Sequence, residues 1–201
     1  MQDLQLVMHG IAVKKYATIE DISAVTGLAS DVVSTLAAQA VTKGRVSEAN
    51  GKFLLTPIGQ ITMKSAYSKA YGELRKDATF LAAYEDFERI NNELKQAITD
   101  WQTIEIGGQT VANDHSNEDY DASVIDRIGA IDERMEVILE RLGSREERLL
   151  RYREQLLSAL EKAEDGDIAW ISDATIPSYH TVWFELHEDL LRVMGRKREE
   201  H

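Results

Sequence analysis

The 201-residue chain contains no cysteine, which excludes a disulfide framework, a thiolate metal site and a cysteine nucleophile. Proline is nearly absent too: only Pro57 and Pro177 occur, so helices can run unbroken between them. No apolar run is long enough to read as a membrane span. The opening MQDLQLVMHG lacks the basic and apolar regions of a signal peptide, and a cytoplasmic chain is expected. Gly-rich phosphate loops and nucleophile elbows are missing as well. The chain reads as a non-enzyme without a cofactor. Positive charge is scarce, at a net −12, but it is unevenly placed. Residues 1–66 hold six basic side chains against five acidic ones, leaving the rest at −13. A near-neutral front can approach a polyanion, whereas an acidic rear is held away from it. Two domains, 1–66 and 67–201, are expected.

What is present in the front is a succession of short helices. Leu4, Leu6, Val7, Ile11, Val13 and Tyr16 predict a helix over 4–16 interrupted by Gly10. Thr18 with Asp21 three places on predicts a capped second helix, with Ile19, Ile22 and Val25 inward and Gly27 as its end. Ser30 is then expected to cap a third helix with Val32, Val33, Leu36 and Val41 inward, stopping at Gly44. Two helices joined by a short Gly-containing turn make a helix-turn-helix pattern. The runs RVSE and KFLLT flank Ala49, Asn50 and Gly51, and Asn-Gly between such runs predicts a hairpin. Thr56 and Pro57 then suit the N-cap and first position of a helix.

The stretch TIEDISAVTGLASDVVSTLAAQAVTKGRVSEANGKFLLTPIGQ resembles the winged helix-turn-helix of the MarR and PadR classes of bacterial regulators. The resemblance rests on the TGL turn, the Gly-Arg-Val exit of the third helix and the LTPIG after the wing. It implies a DNA-binding transcriptional regulator that dimerises through flanking helices, since two-fold half-sites require two copies. The third helix would then present Asp31, Ser34, Thr35, Ala38, Gln39, Thr42 and Lys43. Gln39 suits adenine, Ser34 and Thr35 suit phosphates or bases, and Lys43 suits a phosphate. Arg45 and Lys52 on the wing add charge, with Lys14 and Lys15 beside them. The alternative is a module that binds protein rather than double-stranded DNA, because no arginine precedes Arg45 and Asp31 opens the third helix.

The rear reads as helix nearly throughout, giving a mainly α fold: an N-terminal winged helix followed by an antiparallel helical bundle. A connecting helix over roughly 57–75 is expected to turn Ile58, Ile61 and Tyr67 to one side. Phe80, Tyr84, Phe87, Asn91, Leu94, Ile98 and Trp101 recur at three- and four-residue steps, an apolar seam long enough to suggest a homodimer interface. Residues after Trp101, including Asp114 and His115, read as a long loop. Helices follow over roughly 121–142 and from a Ser144–Glu147 capping box to Gly166, with a last helix capped by Ser178. Trp101, His115, His180, Trp183 and His187 are the candidate binding residues for a small-molecule effector, as aromatic walls with a few polar groups. His180 and His187 lie seven residues apart, about 10 Å along a helix, which is too far for the paired ligands of a helical metal site. No metal is expected.

Overall fold

The computed structural model describes residues 1–197. Among them the chain is mainly helical, with nine α-helices and two separate two-stranded antiparallel sheets. It divides into two compact units, Met1–Asp77 with the residues from Glu185 on, and Ala78–Phe184. The division therefore falls beyond residue 66, and the end of the chain returns to the first unit.

In the first unit, α1 (Asp3–Lys14) is the centre of the core. Val7 to Val13 are all buried, as befits a helix covered all round. Gly10 lets α2 (Ile19–Thr26) come close, since a Cβ there would lie 3.1 Å from side-chain carbons of Ile22 and Thr26. The reciprocal Thr18–Asp21 box caps α2, and Gly27 ends it at φ 76°. Helix α3 (Ser30–Thr42) starts after Ala29, which is the N-cap; Ser30 makes no cap and instead faces Ser23. Its inner face is Val33, Ala37 and Ala40, four and three residues apart, which leaves Val32 exposed.

Strands β1 (Val46–Ala49) and β2 (Lys52–Leu55) pair from Val46↔Leu55 to Ala49↔Lys52. Asn50 and Gly51 both have positive φ, as a two-residue hairpin turn matched to strand twist requires. Ala17, between α1 and α2, adds a third antiparallel rung by exchanging two hydrogen bonds with Phe53. Helix α4 (Pro57–Tyr71) comes next, with Thr56 accepting from the Gly59 N–H. Its buried residues are Gly59, Met63, Ala66, Tyr67 and Tyr71. Ile58 and Ile61 lie outside that face and are exposed, at 62% and 72%, so the expected side of this helix is corrected.

In the second unit, α5 (Ala78–Gln102) carries the predicted seam, and every seam residue is buried in the single chain. It is therefore covered without a second subunit. The stretch expected to be a loop contains a hairpin, β3 (Thr103–Ile106) and β4 (Gln109–Ala112), turning at Gly107 and Gly108. Neither strand buries a residue, so it left little apolar signal. Helix α6 (Glu118–Gly143) packs on α5. Arg127 pairs with Asp100, Arg134 with Glu93 at 2.6 Å, and Arg141 with Asp86. One partner number rises as the other falls, so the two helices run antiparallel. A 3-10 turn (Glu147–Leu150) leads into α7 (Arg151–Glu164). Ser144 ends α6 by donating to Arg141 rather than capping the 3-10 turn. After α8 (Ala169–Ser172), the Ser178 hydroxyl accepts from the Thr181 N–H at the start of α9 (Tyr179–Met194). Tyr179–Phe184 belong to the second unit and Glu185–Met194 to the first.

Candidate nucleic-acid interface

The chain bends by 110° between α2 and α3, across a three-residue turn. That angle lies within the roughly 90–120° of a helix-turn-helix. Because Val33, Ala37 and Ala40 point inward, the opposite face of α3 is open. Asp31, Ser34, Thr35, Ala38, Gln39, Thr42 and Lys43 are all exposed. Their chemical readiness differs. Thr35 and Thr42 donate to the Asp31 and Ala38 carbonyls one turn back, at 2.9 and 3.0 Å. Their hydroxyls are left as acceptors for a donor on a base edge. Ser34, Gln39 and Lys43 make no side-chain hydrogen bond or ion pair within the described residues, so each is available to a ligand.

The β1–β2 hairpin follows α3 and is held at a defined base. Tyr16 donates from its hydroxyl to the Ala49 carbonyl at 2.9 Å, and Lys52 Nζ lies 5.2 Å from the centre of the Tyr16 ring. The aromatic face thus holds the lysine by a cation–π contact. Arg45 is half-buried and its backbone ties the hairpin down. Its N–H donates to Ala40, and its carbonyl accepts from Thr56 at 3.0 Å. The same carbonyl abuts Gly59, where a Cβ would sit 2.0 Å away.

Lys14, expected to contribute beside the motif, is occupied elsewhere. Its ammonium is 2.7 Å from Glu185 and 3.7 Å from Asp21. Burial raises the Glu185 pKa, and Lys14 opposes the shift. Lys15 is exposed.

The five residues expected at an effector site fall into separate settings. Trp101, buried, and His115 touch, with ring centroids 4.5 Å apart. His115 Nδ1 lies 2.9 Å from Asp121. Asn113 donates to the same carboxylate and to the Trp101 carbonyl. This knot closes the exit of the β3–β4 hairpin onto α6. Trp183 stacks between Phe87 and Tyr179, and its indole N–H donates to Asn91 at 3.0 Å. That contact explains the amide in the seam. His180 is half-buried on the same helix. His187 is buried in the part of α9 that belongs to the first unit. Among the described residues, no three His, Asp or Glu side chains converge on a metal position. No helix among them is long and apolar enough to cross a membrane.

Two features of the first unit have no counterpart in the sequence pattern. His9, fully buried, lies with Nε2 3.1 Å from Asp189 and Nδ1 3.0 Å from the Tyr67 hydroxyl. The second is a cavity of about 690 Å³ formed by α1, β2, α4, Arg75 and the end of α9. Six cationic side chains line it: Lys15, Lys64, Arg75, Arg192, Arg196 and Lys197. Spacing along one element signals neither, since both depend on α9 meeting α1 and α4. Compared with protein-family models, curated proteins and solved structures, the chain matches none.

Proposed function

We propose that the first unit is a winged helix that binds double-stranded DNA, and that the protein is a transcriptional regulator acting as a homodimer. The observation that carries the reading is the open face of α3. It offers Ser34, Thr35, Gln39 and Lys43 on the second helix of a 110° pair, beside a hairpin carrying Lys52 and Arg45. In this reading α3 enters the major groove. Gln39 reads an adenine edge, Lys43 and Lys52 take phosphates, and Ser34 and Thr35 fix the register. A homodimer places two such helices on two half-sites.

The test is retention of genomic fragments, including DNA upstream of its own coding sequence, by the full chain as a function of salt. A dimer neutralising about 6–8 phosphates has a log–log salt slope of roughly −5 to −7. Lys43→Ala and Lys52→Ala weaken binding to all sequences alike, whereas Gln39→Ala relaxes preference at one position by about 1–3 kcal/mol. A second reading, in which this face docks a protein, is favoured by Asp31 at the start of α3 and the single cation, Lys43, at its end. Failure to retain any fragment at low salt selects that reading.

A further inference from the structure

The cavity of the first unit combines two chemistries. Ile11, Leu54, Leu55, Met63 and Leu191 supply an aliphatic wall, while the six cations and one carboxylate, Glu188, complete the lining. That carboxylate is already engaged, 2.5 Å from Arg192. Arg192 also donates to the Ala12 carbonyl, which fixes it at the edge of the cavity. Arg75 donates through Nε and Nη2 to the carbonyls of Val193 and Arg192. Those bonds hold its guanidinium at the end of α9 and leave its full charge without a carboxylate. Lys64, exposed on α4, likewise makes no ion pair among the described residues. Lys15 and Arg196 have interactions of their own, so Arg75 and Lys64 are the cations that suit an anion entering this open hollow. The volume is in the range of small-molecule sites, and no residue of α3 lines it.

We propose that this cavity binds an organic anion with a phosphate head and an aliphatic tail, the head between Lys64 and Arg75 and the tail against Leu54, Met63 and Leu191. The charges of Lys64 and Arg75, without a carboxylate partner, suit a dianion better than a single carboxylate, and the Arg75 Nη1 edge, not used by the Val193 and Arg192 carbonyls, suits a phosphate oxygen. The wall is branched aliphatic and methionine side chains, which adapt to an alkyl chain. The proposal goes beyond the DNA reading and stands apart from it, because α3 takes no part.

The test is calorimetric titration of the full chain, without DNA, using octyl phosphate, inorganic phosphate and 1-octanol as probes. Octyl phosphate is expected to bind saturably and at least tenfold more tightly than inorganic phosphate, with no saturable binding of octanol. Lys64→Gln, a surface change that leaves the core intact, weakens octyl phosphate about fivefold. Leu54→Glu, which sets an acid on the wall, weakens it at least as much. Equal affinity for inorganic and octyl phosphate, or saturable octanol binding, overturns the two-part site. So does unchanged affinity in both variants, or no binding of octyl phosphate below about 1 mM. Loss of DNA retention with these arms intact bears only on the regulator reading.

Discussion

Replacing His9 by leucine tests the assignment of the end of α9 to the first unit. His9 and Asp189 are both fully buried, so the substitution removes one member of a buried polar pair. Removing one partner of a buried pair costs about 3–5 kcal/mol, a large part of the roughly 5–15 kcal/mol that holds a domain together. The Tyr67 hydroxyl loses its contact with His9 too, but Tyr67 borders the cavity, where water can replace His9. The double variant His9→Leu/Asp189→Leu removes both members of the pair. Its loss should therefore fall short of the sum of the single losses by about 2 kcal/mol or more. Composition dictates the assay. Trp101, Trp170 and Trp183 are all in the second unit, so none of them reports the His9–Asp189 contact directly. Native-state amide exchange across Val7–Val13 of α1 reports it directly. A loss below about 1 kcal/mol in His9→Leu, or strict additivity in the double variant, would refute the buried-pair argument.

Gly59→Ala should destabilise by about 3 kcal/mol, against the roughly 1 kcal/mol gain that helix propensity alone promises. The added Cβ meets the Arg45 carbonyl, whose peptide is held by Ala40 and Thr56; a higher melting temperature for the alanine variant contradicts this. Tyr179 is nearly fully buried and donates to Asp132 at 2.9 Å. Burial first, and then the Asp132 charge, push its pKa well above the ordinary range. A raised folded pKa gives stability that is complete below the unfolded value and is lost as pH rises through the folded one. The second unit should therefore weaken above about pH 10. Tyr179→Phe should flatten that alkaline limb in urea titrations read by tryptophan fluorescence, while costing about 1.5–3 kcal/mol at neutral pH. A fragment ending at Asp77 lacks Asp189 and Arg192 and should show neither cooperative unfolding nor protected α1 amides. A stable fragment would show that α9 is dispensable to the first unit.

The open face of α3 was legible because it is a local property. Inward positions four and three residues apart leave the remaining ones outside, whatever the rest of the chain does. The Asn50-Gly51 turn and the Thr56–Pro57 helix start were legible for the same reason, since positive φ and a missing N–H are set by the residues themselves. The periodicity of α4 is equally local, yet it misleads. Met63, Ala66, Tyr67 and Tyr71 form its buried stripe, and Ile58 and Ile61 attract notice only by being more apolar. What could not be read was the destination of Lys14, which depends on Glu185. Nor could it be read that His187 lies in the part of α9 that belongs to the first unit. Hydrogen bonds such as Arg192 to Ala12, 180 residues apart, have no signature in a window of any length that a periodicity can use.

The second unit held a longer-range signal in plain view. Asp86, Glu93 and Asp100 are spaced by seven, and so are Arg127, Arg134 and Arg141. Each series keeps to one side of a helix, because seven residues are nearly two turns. Pairing acids in rising order with arginines in falling order is the arrangement of an antiparallel pair, and the structure shows that arrangement. Read singly, such charges look like solvated surface. Their stability contribution is indeed small, at about 0–1 kcal/mol for exposed pairs. Their use is in register: sliding α6 by one turn against α5 would break all three contacts at once. Apolar periodicity says which face is buried, and the matched charge series says against what and in which direction.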